Sequence, residues 1–140
     1  MDDKKPDYAN VLVVDDEPLV LKTSAMIAER MCNLAAHKAG NRSEAITLFN
    51  KLCSEGKYVG VLITDNDMPQ EDEGIKLIQE LKAVDPSLYT IIQSGRFVEE
   101  DITRLTGTAA DSCLSKPVSL KVLAAEINKG YQTYQKRMEK

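Results

Sequence analysis

Basic runs are missing from this 140-residue sequence, whose net charge is -4, so a positively charged nucleic-acid surface is not expected of it. No uninterrupted apolar stretch approaches the length a bilayer demands, which excludes a membrane-spanning helix. The polar start Met1-Asp2-Asp3-Lys4-Lys5-Pro6 lacks the apolar core of a signal peptide or anchor, and neither is expected. Cysteine is scarce and odd in number: Cys32, Cys53 and Cys113 are far apart and set among apolar neighbours. That spacing suits reduced core thiols in a cytoplasmic protein better than disulfides or a zinc site. Histidine occurs once, and His37 reads as a structural or solvent-facing strand residue. Internal repeats and low-complexity linkers are also absent, and 43% apolar content is enough for one well-buried domain.

What is present is an alternation of short β-branched, apolar runs with longer stretches of helical periodicity. Strands are expected at about residues 10–14, 34–38, 58–65, 89–94 and 112–115. The first helix opens at Glu17-Pro18, where proline suits a first turn, and runs to about Cys32. Ser43 is the expected cap of a second helix that buries Ala45, Ile46, Leu48, Phe49 and Leu52. A third spans about 74–84 and stops at Asp85-Pro86, a weaker fourth spans 99–106, and Ser119 caps a long last helix. Five strand-helix pairs in this order predict an open parallel sheet with helices on both faces.

In such a sheet the loops after the strands gather at one edge. Asp15 and Asp16 leave the first strand, Asp65 the third, Ser94 the fourth and Lys116 the fifth. Three packed carboxylates resist joint ionisation unless a cation sits between them, and an all-oxygen set suits magnesium. A metal and a lysine could neutralise a phosphoryl group while a carboxylate acts as nucleophile and the hydroxyl adds a hydrogen bond. Singly, these residues have ordinary roles: Asp16 as a helix N-cap, Asp65-Asn66-Asp67 as a polar turn, Ser94 bonded to local backbone, Lys116 as a surface lysine. Four strand ends that each supply the required chemical type argue for the site.

Val13-Val14-Asp15-Asp16-Glu17-Pro18, Asp65-x-x-Met68-Pro69 and Lys116-Pro117, in this order and spacing, resemble the receiver domain of two-component response regulators. The resemblance implies a flavodoxin-like (βα)5 fold of strand order 2-1-3-4-5, with the receiver over residues 8–128 and residues 129–140 extending the last helix. It implies that Asp65 is the phosphate acceptor. Magnesium ligands would be Asp16 directly, Asp15 through water, Asp65, and the Asp67 backbone carbonyl, with Ser94 and Lys116 on the phosphoryl oxygens. The donor would be a histidine kinase or histidine phosphotransfer protein, sometimes a small phosphodonor, and the domain would catalyse its own phosphorylation and dephosphorylation. Its downstream effector is not written in the sequence, and neither nucleic acid nor membrane is an expected partner of this domain. Gly95, at a position usually small in the family, would leave the phosphoryl site open.

Three departures qualify the resemblance. Four residues, Gln70-Glu71-Asp72-Glu73, separate Met68-Pro69 from Gly74 where the family usually has three, so a reshaped and more negative loop is expected. Cys113 stands three before Lys116, where relatives often carry an aromatic readout of phosphorylation; here a small buried thiol is expected. A coupled shift of Ser94 with the face formed by the fourth helix, fifth strand and last helix is still expected. Asp67 and Arg96 could pair over the phosphoryl group as a lid that lengthens the phosphoaspartate lifetime, or form only a weak surface pair.

Ala124, Ile127, Tyr131, Tyr134 and Met138 form a heptad-like stripe on the last helix. It reads as an amphipathic end helix, with homodimer pairing as the alternative. Two other function classes compete with the phosphoacceptor. One is a haloacid-dehalogenase-like phosphotransferase using Asp65-x-Asp67, against which the mid-chain place of the pair argues; the other is a receiver-shaped binding module that is never phosphorylated.

Overall fold

The computed structural model describes residues 7–68, 70, 72–95 and 110–139. In chain order these form β1 (Asp7–Val14), α1 (Pro18–Met26), β2 (Ala35–Ala39), α2 (Arg42–Ser54), β3 (Lys57–Asp65), α3 (Glu73–Val84), β4 (Tyr89–Ser94), β5 (Ser112–Ser115) and α4 (Leu120–Met138). A wider helical turn, Ile27–Met31, continues α1. The expected fourth helix at 99–106 and Arg96 lie outside the described residues.

All four strand pairings are parallel and the order is β2-β1-β3-β4-β5. Parallel strands need crossover helices, and helices on both faces bury β1 from Asn10 to Val14 and β3 from Val59 to Asp65. Hence β1 and β3 read as continuous apolar runs. Alternation divides each run between two cores. Leu12, Val14, Leu62 and Ile92 pack with Phe49, Leu52, Ile78 and Leu81 from α2 and α3. Val11, Val13, Val61, Ile63 and Ile91 pack on the other face with Ala25, Ala124 and Ile127 from α1 and α4.

The helix starts follow local chemistry, with one correction. Ser119 caps α4 as expected, its Oγ accepting the Val122 N–H at 3.1 Å. Ser43 does not cap α2. Asn41 holds the extended backbone of an N-cap and accepts the Glu44 N–H at 2.8 Å, while the Glu44 carboxylate reaches back to the Gly40 N–H at 2.8 Å. Ser43 lies within the first helical turn, where its own backbone is already committed.

Beyond residue 128, α4 continues as one helix along the base of the sheet, at the end opposite the strand C-termini. A Cβ on Gly130 would lie 2.5 Å from the Tyr89 ring, so the bare backbone is what lets the helix approach. Tyr134 is fully buried and its hydroxyl donates to Asp85 at 2.9 Å. Arg137 donates to the Ser87 and Leu88 carbonyls and to the Asp111 carboxylate at 2.9 Å. Ala124, Ile127 and Tyr134 of the heptad-like stripe are thus buried within the chain, and Met138 is exposed.

Candidate phosphoacceptor site

The strand register brings the sequence-distant residues to one edge. Val14 lies beside Thr64, Asp65 beside Gln93, and Ser94 beside Ser115, so the next residues along β1 and β5 are Asp15 and Lys116. Backbone bonds extend the ladder there, from Asp15 N–H to the Ala39 carbonyl at 3.2 Å and from Lys116 N–H to the Ser94 carbonyl at 2.8 Å.

Lys116 is the centre of the cluster. Its Nζ lies 2.9 Å from Asp15 Oδ2, 3.2 Å from Glu17 Oε1 and 3.5 Å from Asp65 Oδ2. Burial works against its charge, but the bonds to Asp15 and Glu17 and the nearby Asp65 outweigh that and raise its pKa. Asp65 is 8% exposed, and burial, with the charge of Asp15 added, pushes its pKa up to about 6. Lys116 and the backbone N–H groups of Asp67 and Asn66 oppose that rise without cancelling it. Ser94 is buried at the end of β4, and Gly95 is exposed, with no described atom within 4 Å of where a Cβ would stand.

The loop after Asp65 is tied to its back. Asn66 accepts the Gly74 N–H through its carbonyl at 2.9 Å and the Ile75 N–H through Oδ1 at 3.3 Å. A Cβ on Gly74 would fall against the Asp65 carbonyl oxygen and 2.8 Å from the Asn66 Cα. Only glycine lets α3 start so close to the acceptor. Asp72 enters α3 with a φ of 65°, in the left-handed region. Met68 anchors the loop in the core at 2% exposure. The loop is less negative than its sequence implies, because Glu73 pairs with Arg42 at 3.1 Å and with Lys76 at 3.6 Å. Pro69 and Glu71 lie outside the described residues.

Among the described residues, one group of three carboxylates has oxygens within 4.8 Å of one another: Asp15, Glu17 and Asp65. Asp16, a ligand on the strength of the resemblance, is exposed on the same loop and is not in that group. It is not the helix N-cap either; Glu17 holds that position. The oxygens of Asp15 and Asp65 fit a hard divalent cation, since with Glu17 they face one ammonium and leave two negative charges unmatched. Sequence reasoning missed Glu17 in this cluster and Asn66 as a tie. The first had a signal, since Glu17 follows Asp15 by two in a chain turning into a helix; the second had none beyond a polar turn.

Cys113 is half-buried against the core to which α2 and α3 contribute, and burial raises its thiol pKa, as for Cys32. The three cysteines are free, and His37 sits 3.0 Å from Asn10 Oδ1 within the sheet, away from the acidic edge.

Residues 11–128 match the response regulator receiver domain family. The chain belongs to that family. The receiver is 31% identical over 119 residues to the sensor kinase CckA of Brucella abortus, covering 85% of this chain and 12% of that protein. It is 27% identical over 113 residues to the sensor histidine kinase RcsC of Escherichia coli K12, covering 81% of this chain. The receiver thus spans about 11% of the length of the curated RcsC relative. A receiver domain structure from Clostridium thermocellum superposes with a TM-score of 0.78 at 25% identity, covering 94% of this chain and 98% of that one. The solution structure of the beryllofluoride-activated NtrC4 receiver domain dimer gives 0.78 at 25% identity, covering 90% and 98%. Membership in this family makes the chain a two-component signalling domain rather than a classical enzyme, which sets aside the dehalogenase-like phosphotransferase. No described helix is long and apolar enough to cross a membrane.

Proposed function

We propose that the receiver is a magnesium-dependent switch in which Asp65 accepts a phosphoryl group from a phosphohistidine of a histidine kinase or histidine phosphotransfer protein. An Asp65 oxygen attacks phosphorus as the P–N bond breaks, and the imidazole leaves with that electron pair and takes up a proton. The observation that carries this reading is the placement of Asp65 against Lys116 and Asp15 at the strand edge, in a chain of this family.

Lys116 would follow the charge that develops on the phosphoryl oxygens, and Ser94 would donate its hydroxyl to them. Asp15, Asp16, Asp65 and the Asp67 carbonyl would hold magnesium, which when bound supplies positive charge against the donor's phosphoryl oxygens. Gly95 would leave room for the group, in keeping with the open space where a Cβ would stand. Hydrolysis of the phosphoaspartate by the same residues would reset the switch, and Arg96 over Asp67 would slow that water.

The setting proposed is cytoplasmic, in keeping with three free thiols. The output would run through an effector bound by the helical faces. A homodimer through α4 has less support than an end helix, since most of its apolar stripe lies on the sheet.

The test is intact-protein mass after incubation with magnesium and acetyl phosphate, beside Asp65→Asn and a chelated sample. The expected result is one added phosphoryl group that requires both magnesium and Asp65. No addition, repeated with a histidine kinase as donor, would leave a receiver that acts by binding alone.

A further inference from the structure

Glu17 occupies the N-cap position of α1 with an extended backbone, yet its side chain makes no capping bond to its own helix. Its carboxylate turns instead to Lys116 Nζ at 3.2 Å. The turn is fixed from below, because Asp15 Oδ1 accepts the Glu17 N–H at 2.9 Å while Asp15 Oδ2 takes the ammonium at 2.9 Å. Two carboxylates of the β1–α1 loop therefore close on one side of the ammonium, and Asp65, at 3.5 Å, is the most distant of its three partners.

We propose that Glu17 is a positioning residue: it holds Lys116 on the α1 side of the pocket and so competes with a phosphoryl group on Asp65 for the same ammonium. The inference rests on the phosphoacceptor reading above. An ammonium has three protons, and here two are donated to Asp15 and Glu17 while Asp65 is an ion-pair partner at 3.5 Å. A phosphoryl group on Asp65 would need the ammonium's donors for itself, and the shorter bonds to Asp15 and Glu17 oppose that exchange. Lys116 is 16% exposed, so water is a poor substitute for the partner it would leave. Glu17 is 63% exposed and is readily solvated once released. It is a brake that a doubly charged phosphoryl group overcomes, rather than a lock.

The test uses beryllofluoride, a phosphoryl mimic, at saturating magnesium, with affinity read from backbone amide and fluorine resonances. Glu17→Gln removes the charge; Glu17→Asp keeps the charge but withdraws it by one methylene. Both variants are expected to bind the mimic about three-fold more tightly than wild type, the scale of one half-exposed ion pair. Tighter binding by Gln alone would mean that charge, not reach, matters and would overturn the inference. Unchanged or weaker binding by both would also overturn it, the latter by making Glu17 part of the cation site. If wild type bound no beryllofluoride, the phosphoacceptor reading would fail, and this inference with it.

Discussion

Removing the charge of the acceptor should make the metal-free protein more stable. Asp65 lies almost out of water, and its pKa of about 6, against an ordinary 3.8, measures how poorly the folded site tolerates its ionised form without a cation. Each pKa unit corresponds to about 1.36 kcal/mol, so the cost at neutral pH has an upper limit of about 3 kcal/mol. The sign follows from linkage: for a raised pKa, the stability is fully present below the unfolded value of 3.8 and is lost as pH rises through about 6. Asp65→Asn keeps the shape and cannot ionise, and Lys116 retains Asp15 and Glu17. In urea unfolding followed by circular dichroism, with chelator present, the variant should approach wild type near pH 4 and exceed it by about 2 kcal/mol near pH 8. Magnesium should narrow that gap, because a cation relieves the repulsion that the substitution removes. A variant no more stable than wild type near pH 8, or a gap constant across that range, would refute the reasoning.

Other expectations test the surroundings. Gly74→Ala would press a methyl group onto the Asp65 and Asn66 backbone, which cannot yield as a side chain does; a loss of about 3 kcal/mol in urea midpoint analysis and slower phosphorylation are expected. Arg137→Ala, or truncation after residue 128, should destabilise the base of the sheet, the point substitution by about 2 kcal/mol, because Asp111 and two carbonyls lose a charged donor. Burial would raise the Asp111 pKa, but Arg137, the Thr90 N–H and Lys82 outweigh it and lower it. Its contribution is therefore present above the unfolded pKa and lost as pH falls through the folded one, so Asp111→Asn should flatten the acid limb of a stability profile.

Much of this protein was legible in its residues because the signals are local. Apolar runs bounded by Gly, Pro and carboxylates marked the strands, and β4 and β5 have the expected bounds. The cap of α2 was misplaced because Asn41 and Ser43 are both good N-caps, and the choice depended on which residue kept an extended backbone after β2. Asp65, Asp15, Ser94 and Lys116 were legible as a set, since a parallel sheet must bring its strand ends to one edge.

The sequence by itself determined the alternation of elements and the kinds of side chain offered at each strand end, because these follow from period, composition and turn chemistry. Only the tertiary structure decided how those groups share one another. That Lys116 lies between Asp15 and Glu17, that Gly74 abuts the acceptor, and that Tyr134 and Arg137 close the base are outcomes of packing. Periodicity says which face of a helix is buried, but distance and rotamer, set by all neighbours at once, decide which atoms meet.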